Sequence, residues 1–211
     1  MAEELEKLKN DYDEIIIMTI SEKLSGTKNC IKQAADMVGI KNTTIETSSI
    51  GHGVGNMIIE AQDMLKKEKT IEEIKEKIEK EHLNYKGYAV VGSIERIKNS
   101  GRINSLTALV GSLLNIVPII EIGNGELKQS GKTRGKEKAV KDIMSRIDKE
   151  KVEEVFLMGL EAESQINKLK EEYKEKDIYE EDLILPLARF SLEKDLEQIR
   201  ILLAKWCLIQ E

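Results

Sequence analysis

The sequence predicts an α/β protein in two lobes: a parallel-sheet lobe over residues 1–100 and an α+β lobe over residues 101–211. Three observations lead there. Asp13-Glu-Ile-Ile-Ile-Met-Thr-Ile20 is a continuous run rich in β-branched residues, as a strand buried on both faces of a parallel sheet requires. Strand-like runs then alternate with helical periods, the pattern of βαβ units. After residue 100 a hairpin signal appears instead, with Pro118-Ile-Ile-Glu-Ile122 and Glu126-Leu-Lys128 flanking Gly123-Asn-Gly125, followed by amphipathic helices.

The elements follow in order. Residues 2–10 read as a short charged helix, and 13–20 as the first strand. A Ser- and Gly-containing turn, Ser21–Thr27, precedes a helix that runs to about Met37. Lys41–Thr47 carries a second strand, and a second Ser/Gly loop covers Thr47–Gly55. Met57–Lys67 is helical, and Thr70-Ile-Glu-Glu73 opens a further helix with a capping box. Tyr88–Val91 is a third strand. Beyond a loop at Asn99–Ile103, Leu106–Leu114 forms a short apolar helix, and the hairpin of 118–128 follows. Gly135–Lys149 is an amphipathic helix, Val155–Gly159 a strand, Ala162–Glu175 a charged helix and Leu183–Leu187 a strand. The apolar period of Leu192–Leu208 reads as a closing helix.

Composition limits the function. The chain has 211 residues, with 33 Lys and Arg against 39 Asp and Glu, and a net charge of −6. A chain of this length buries a core without disulfides or a structural metal. The acidic balance, with charges interspersed, argues against nucleic acid as a partner. Cys30 and Cys207 form no Cys-x-x-Cys, and His52 and His82 lie far apart, so no metal site is expected. The acidic, polar start does not resemble a signal peptide, and no apolar run is long enough to span a bilayer. A cytoplasmic protein without integral membrane association is the expectation.

In open parallel sheets, ligands bind outside the carboxyl ends of the strands, and both Ser/Gly loops fall there. Leu24-Ser25-Gly26-Thr27 stands directly before a helix. Free backbone N–H groups and the positive dipole end of that helix suit a carboxylate or phosphate. Helix capping by Ser25 or Thr27 explains the same residues without a ligand. Arg102, in Gly101-Arg-Ile103, is of the type that pairs bidentately with such an anion, and a surface arginine explains it too. Lys132 and Arg134 follow the same logic. Gly125–Thr133 is not a phosphate loop, because five residues rather than four separate Gly125 from Gly131. Gly51-His-Gly-Val-Gly55 does not have dinucleotide-binding spacing.

Several segments together resemble the DegV family of bacterial fatty-acid-binding proteins. They are Thr19-Ile-Ser-Glu-Lys-Leu-Ser-Gly-Thr27, Ile45–Gly55, Ile94–Ile103 with its Ser-Gly-Arg-Ile ending, Leu113-Leu-Asn-Ile-Val-Pro-Ile-Ile120, Gly125, and Lys132-Thr-Arg134. The resemblance implies a two-lobed DegV-like fold that holds one long-chain fatty acid between its lobes. It implies a carrier rather than an enzyme, which presents the acid's carboxylate to a separate fatty acid kinase and needs no cofactor. The carboxylate would meet Ser25, Gly26 and Thr27, with Thr47 and Arg102 beside them and Asn115 and Arg134 as secondary candidates. The helix 106–114 would line the tail.

The chain departs from the family pattern in four places. It lacks the family's first Asp-Ser strand and Thr-Ser-Gln-Pro-Ser loop, so the first lobe is expected to be truncated. Glu46-Thr47 replaces the second Asp-Ser, Val117 replaces a lysine, and Leu187–Lys194 lacks the family's His and Gly-Pro-Gly. Two further readings follow. One is a degenerate DegV-like protein without lipid, acting as a protein-interaction or dimerisation module, for instance a homo-oligomer joined through an open sheet edge. The other is a phosphate-binding enzyme, motivated only by the loops at the strand ends.

Overall fold

The computed structural model describes residues 2–90, 116–159, 162–182 and 199–203. The chain divides into two compact units, residues 1–87, 122–127 and 191–211 in one and 88–121 and 128–190 in the other. The division is not a single cut after residue 100. Two later segments rejoin the first unit, because a strand near the C-terminus pairs with the first strand and the tip of the hairpin packs on the first loop.

In the first unit, α1 (Ala2–Asp11), β1 (Glu14–Thr19), α2 (Thr27–Val38), β2 (Lys41–Glu46), α3 (His52–Lys66) and α4 (Ile71–Glu81) follow in sequence. β1 lies between β2 and β8 (Ile199–Leu203) and is parallel to both. The register places Ile16 opposite Thr43 and Ile201.

Strand alternation sends neighbouring β1 side chains to opposite faces. Ile16 and Met18 pack with Ile45, with Val54, Met57, Ile58 and Ala61 of α3, and with Ile74 and Ile78 of α4. Ile15 and Ile17 pack with Leu5 and Leu8 of α1 and with Ile31, Ala34 and Ala35 of α2. The run of isoleucines is thus explained by helices covering both faces, as the sequence predicts.

Local chemistry sets the ends of the helices. Thr70 and Glu73 form the expected capping box on α4, with Glu73 N–H donating to Thr70 Oγ1 at 3.2 Å and Thr70 N–H to Glu73 Oε2 at 2.9 Å. α2 ends on Gly39 at φ +70°, whose N–H donates to Ala35 O at 2.9 Å. α3 starts at His52, five residues before the expected helix, so Gly53 and Gly55 form its first turn rather than a loop. A Cβ on Gly53 would stand 2.3 Å from Ser49 Oγ, and glycine lets the helix begin against the preceding loop.

The expected helix at 192–208 is also corrected, since residues 199–203 form β8. Ile-Arg-Ile-Leu-Leu is a short apolar run, and periodicity does not separate a buried parallel strand from a buried helix in such runs. The expected helix 106–114 and the strand 183–187 lie outside the described residues.

The second unit includes most of a three-stranded sheet ordered β3 (Gly87–Val90), β4 (Ile116–Gly123), β5 (Glu126–Arg134). Asn124 and Gly125 make the hairpin turn with φ of +51° and +71°, the pair of positive φ values that a tight hairpin favours. β5 runs to Arg134, beyond the Lys128 expected, so Lys132 and Thr133 lie in a strand and not in a phosphate loop. α5 (Lys136–Arg146) buries Ala139 and Val140. Arg146 Nη1 donates to Ser130 O of β5 at 3.1 Å, and Arg146 Nε to Asp142 Oδ1 at 2.6 Å.

β6 (Glu154–Gly159), α6 (Glu163–Glu172) and β7 (Asp177–Asp182) form a parallel βαβ unit. The sequence reading missed β7, because Asp-Ile-Tyr-Glu-Glu-Asp offers little apolar signal and takes its strand conformation from pairing with β6. Among the described residues no helix is long and apolar enough to cross a membrane.

Candidate functional site

Tyrosine aside, the buried polar side chains among the described residues are Thr19, Ser21, Ser25, Thr27 and Thr47. All five are hydroxyls at the carboxyl ends of β1 and β2 or at the start of α2. Water-exposed serines would need no explanation here, but buried hydroxyls cost free energy unless they are paired.

Their pairing is local. Ser21 closes the turn after β1, with its carbonyl accepting Leu24 N–H at 3.0 Å and Ser25 N–H at 3.1 Å. Ser21 Oγ accepts Lys23 N–H at 3.2 Å. Ser25 Oγ lies 2.6 Å from Thr27 Oγ1 and accepts Thr27 N–H at 3.2 Å. Thr47 Oγ1 donates to Thr19 O at 2.9 Å and accepts Ser49 N–H at 3.3 Å, which ties the two strand ends together. Thr19 Oγ1 is buried with no hydrogen-bond partner among the described residues.

Gly26 is the N-cap of α2, with no side-chain capping bond. Its φ of −73° is open to any residue. A Cβ at Gly26 would have nothing within 4 Å. The first turn of α2 holds no acidic residue, so no side chain there opposes an anion at the positive end of the helix.

Charged residues frame the loop. Glu46 Oε1 accepts Glu22 N–H at 3.3 Å and Ser48 Oγ at 3.4 Å, linking the loops after β1 and β2. Lys28 Nζ bonds Glu22 at 2.9 Å and Glu46 at 3.3 Å. Its hydrogen bond holds the Glu22 carboxyl below its ordinary value, and Glu22 in turn raises the Lys28 ammonium against partial burial. Lys23 pairs with Glu126 at 2.7 Å. The nearby cations are therefore engaged with carboxylates, and the loop offers an incoming group hydroxyls and the amide end of α2. That is hydrogen-bonding chemistry for an acceptor such as a carboxylate.

Of the expected residues, Ser25, Gly26 and Thr27 share one loop, and Thr47 stands at the end of the adjacent parallel strand. Arg134 is the exposed last residue of β5, in the second unit. Arg102 and Asn115 lie outside the described residues. The sequence reading did not single out Thr19, Ser21 or Glu46 as site residues. The available signal was the recurrence of hydroxyls at 19, 21, 25 and 27 directly after an apolar strand. Among the described residues no group of three or more His, Cys, Asp or Glu side chains is placed to hold a metal ion.

The architecture defines an α/β protein whose hydroxyl loops sit where open parallel sheets take their ligands. The chain belongs to the DegV family: the family model described as "Uncharacterised protein, DegV family" matches residues 1–186. A DegV domain-containing protein of Clostridium acetobutylicum is 35% identical over 172 residues, covering 79% of this chain and 61% of its own. A fatty acid-binding protein of Thermotoga maritima is 27% identical over 191 residues, covering 86% of this chain and 65% of its own. The crystal structure of a DegV lipid binding protein from Thermotoga maritima superposes with a TM-score of 0.71 at 25% identity, covering 86% of this chain and 68% of that one. The chain thus spans about three fifths of the length of curated relatives it matches.

Proposed function

We propose that this chain binds a long-chain fatty acid, holds its carboxylate at Ser25, Gly26, Thr27 and Thr47, and presents it to a separate fatty acid kinase. The observation that carries the reading is the cluster of buried hydroxyls at the carboxyl ends of β1 and β2, including a Thr19 hydroxyl without a partner among the described residues. The relatives named as fatty acid- and lipid-binding proteins support the choice of ligand.

In this reading the acyl tail supplies most of the affinity, at about 0.8 kcal/mol per buried CH₂. The hydroxyl loop orients the head, and Arg102, Asn115 and Arg134 are further candidates for head-group contact. In this reading the protein is a carrier, in keeping with the relatives named as fatty acid- and lipid-binding proteins. It acts in the cytoplasm, where a kinase has ATP to transfer a phosphoryl group to the presented carboxylate.

The test is to denature the purified protein, extract it with organic solvent and identify fatty acids by mass spectrometry. One acyl species near one equivalent supports the reading. An empty extract from protein that is folded by circular dichroism overturns it, and favours a lipid-free interaction module. The kinase step is tested separately by acyl phosphate formation when a fatty acid kinase and ATP are added to the loaded protein.

A further inference from the structure

We infer that the β4–β5 turn is the positioning element of the hydroxyl loop, with Lys23, Gly125 and Glu126 setting where Ser21 and Ser25 stand. The inference rests on the fatty-acid reading above for the ligand, and on contacts within the first unit for the geometry. Residues 122–127 belong to that unit although the strands they join continue into the other.

Two independent contacts seat the turn on the loop. Lys23 Nζ donates to Glu126 Oε1 at 2.7 Å and to Asn124 O at 3.4 Å. Gly125 packs directly on Ser21, where an added Cβ would stand 2.4 Å from Ser21 Oγ and 2.9 Å from Ser21 Cβ. Gly125 also has φ +71°, so position 125 needs glycine for its conformation and for the close approach. A side chain there has only two outcomes: the turn lifts off, or Ser21 moves.

Ser21 is the pivot of the loop. It is fully buried, and its carbonyl and hydroxyl accept the N–H groups of Lys23, Leu24 and Ser25. A shift of Ser21 is therefore passed to Ser25, which in turn bonds Thr27. On the opposite side Glu46 holds the Glu22 N–H. The loop is pinned from β2 by Glu46 and from the hairpin by Gly125 and Lys23. Lys23, Gly125 and Glu126 act through Ser21 and Ser25, and so are positioning residues.

The experiment uses the full chain and octadecanoic acid as the probe. Lys23→Glu, Glu126→Lys, the double exchange and Gly125→Ala are titrated with the acid, and exchange of the 22–25 amides is followed by hydrogen–deuterium mass spectrometry. The Lys23–Glu126 pair is about half exposed, so each single charge reversal leaves the thermal midpoint nearly unchanged. The expected results are faster exchange of the 22–25 amides in each single variant and affinity lower by about fivefold or more. The double exchange restores affinity to within about twofold of the parent, which a merely structural role of either residue does not produce. Unchanged amide exchange in Gly125→Ala and Lys23→Glu overturns the inference, and so does faster exchange with unchanged affinity. If the parent protein takes up no acid, the fatty-acid reading falls, while the exchange data still decide whether the turn holds the loop.

Discussion

Thr47 bonds the carbonyl of Thr19 twice, through its backbone N–H at 3.0 Å and its hydroxyl at 2.9 Å. This double bond ends the β1–β2 ladder and holds the two site loops in one register. Thr47→Val preserves shape but removes the hydroxyl and strips Ser49 N–H of its acceptor. The expected loss is ~1–2 kcal/mol of stability, read as a lower urea midpoint with an unchanged denaturant slope.

Ser25 and Gly26 separate head-group recognition from folding. Ser25→Ala is expected to weaken fatty acid binding by ~1.5–3 kcal/mol, the worth of a hydrogen bond to a charged group. Gly26→Ala enters open space at an ordinary φ, so its cost to folding is that of a poorer N-cap, ~0.5–1 kcal/mol. A head group lying against the loop meets the new methyl, and affinity falls more than stability. Calorimetric titration beside thermal melts checks both variants; unchanged affinity in both removes this loop from the site.

The two faces of β1 are expected to be equally sensitive. Ile16 and Ile17 point into different helix layers and are both fully buried. Ile16→Ala and Ile17→Ala should each cost ~2–5 kcal/mol. A strand with one solvent face would show the cost at only one of the two positions, so paired urea titrations decide between the arrangements.

Acid should loosen the second unit through Asp142. Its hydrogen bond from Arg146 holds the Asp142 carboxyl below its ordinary value. A carboxyl depressed in the folded state contributes stability above its unfolded pKa, about 3.9, and that stability is lost as pH falls through the folded value. The Asp142→Asn variant lacks this contribution at neutral pH. The gap between its urea midpoint and that of the parent should therefore be widest at pH 6 and narrow below pH 4. A gap that stays constant down to pH 2 shows that the pair is not linked to folding.

Much of the candidate site was legible locally. Ser25-Gly26-Thr27 stands between an apolar strand and a helical period, and that order alone places hydroxyls at the carboxyl end of a parallel strand. The conformation of Gly26 was not legible, because a glycine's φ depends on its surroundings, and here it is ordinary. Glu46 was invisible as a link between loops, since its partners Glu22 and Lys28 lie 24 and 18 positions away. The same holds for Lys23 and Glu126, which are 103 positions apart.

The sequence by itself determined what neighbours along the chain can decide: the β-branched run of β1, the capping box at Thr70, and the Asn124-Gly125 turn. These depend on side-chain branching, on a hydroxyl three residues from a carboxylate, and on tolerance of positive φ, all properties of short segments. Only the tertiary structure decided that 199–203 is a strand, that 177–182 is one too, and that residues 122–127 belong with the first loop. In those places local preference is weak or ambiguous. The conformation is set by hydrogen-bond partners and close approaches far away in sequence, which no local pattern records.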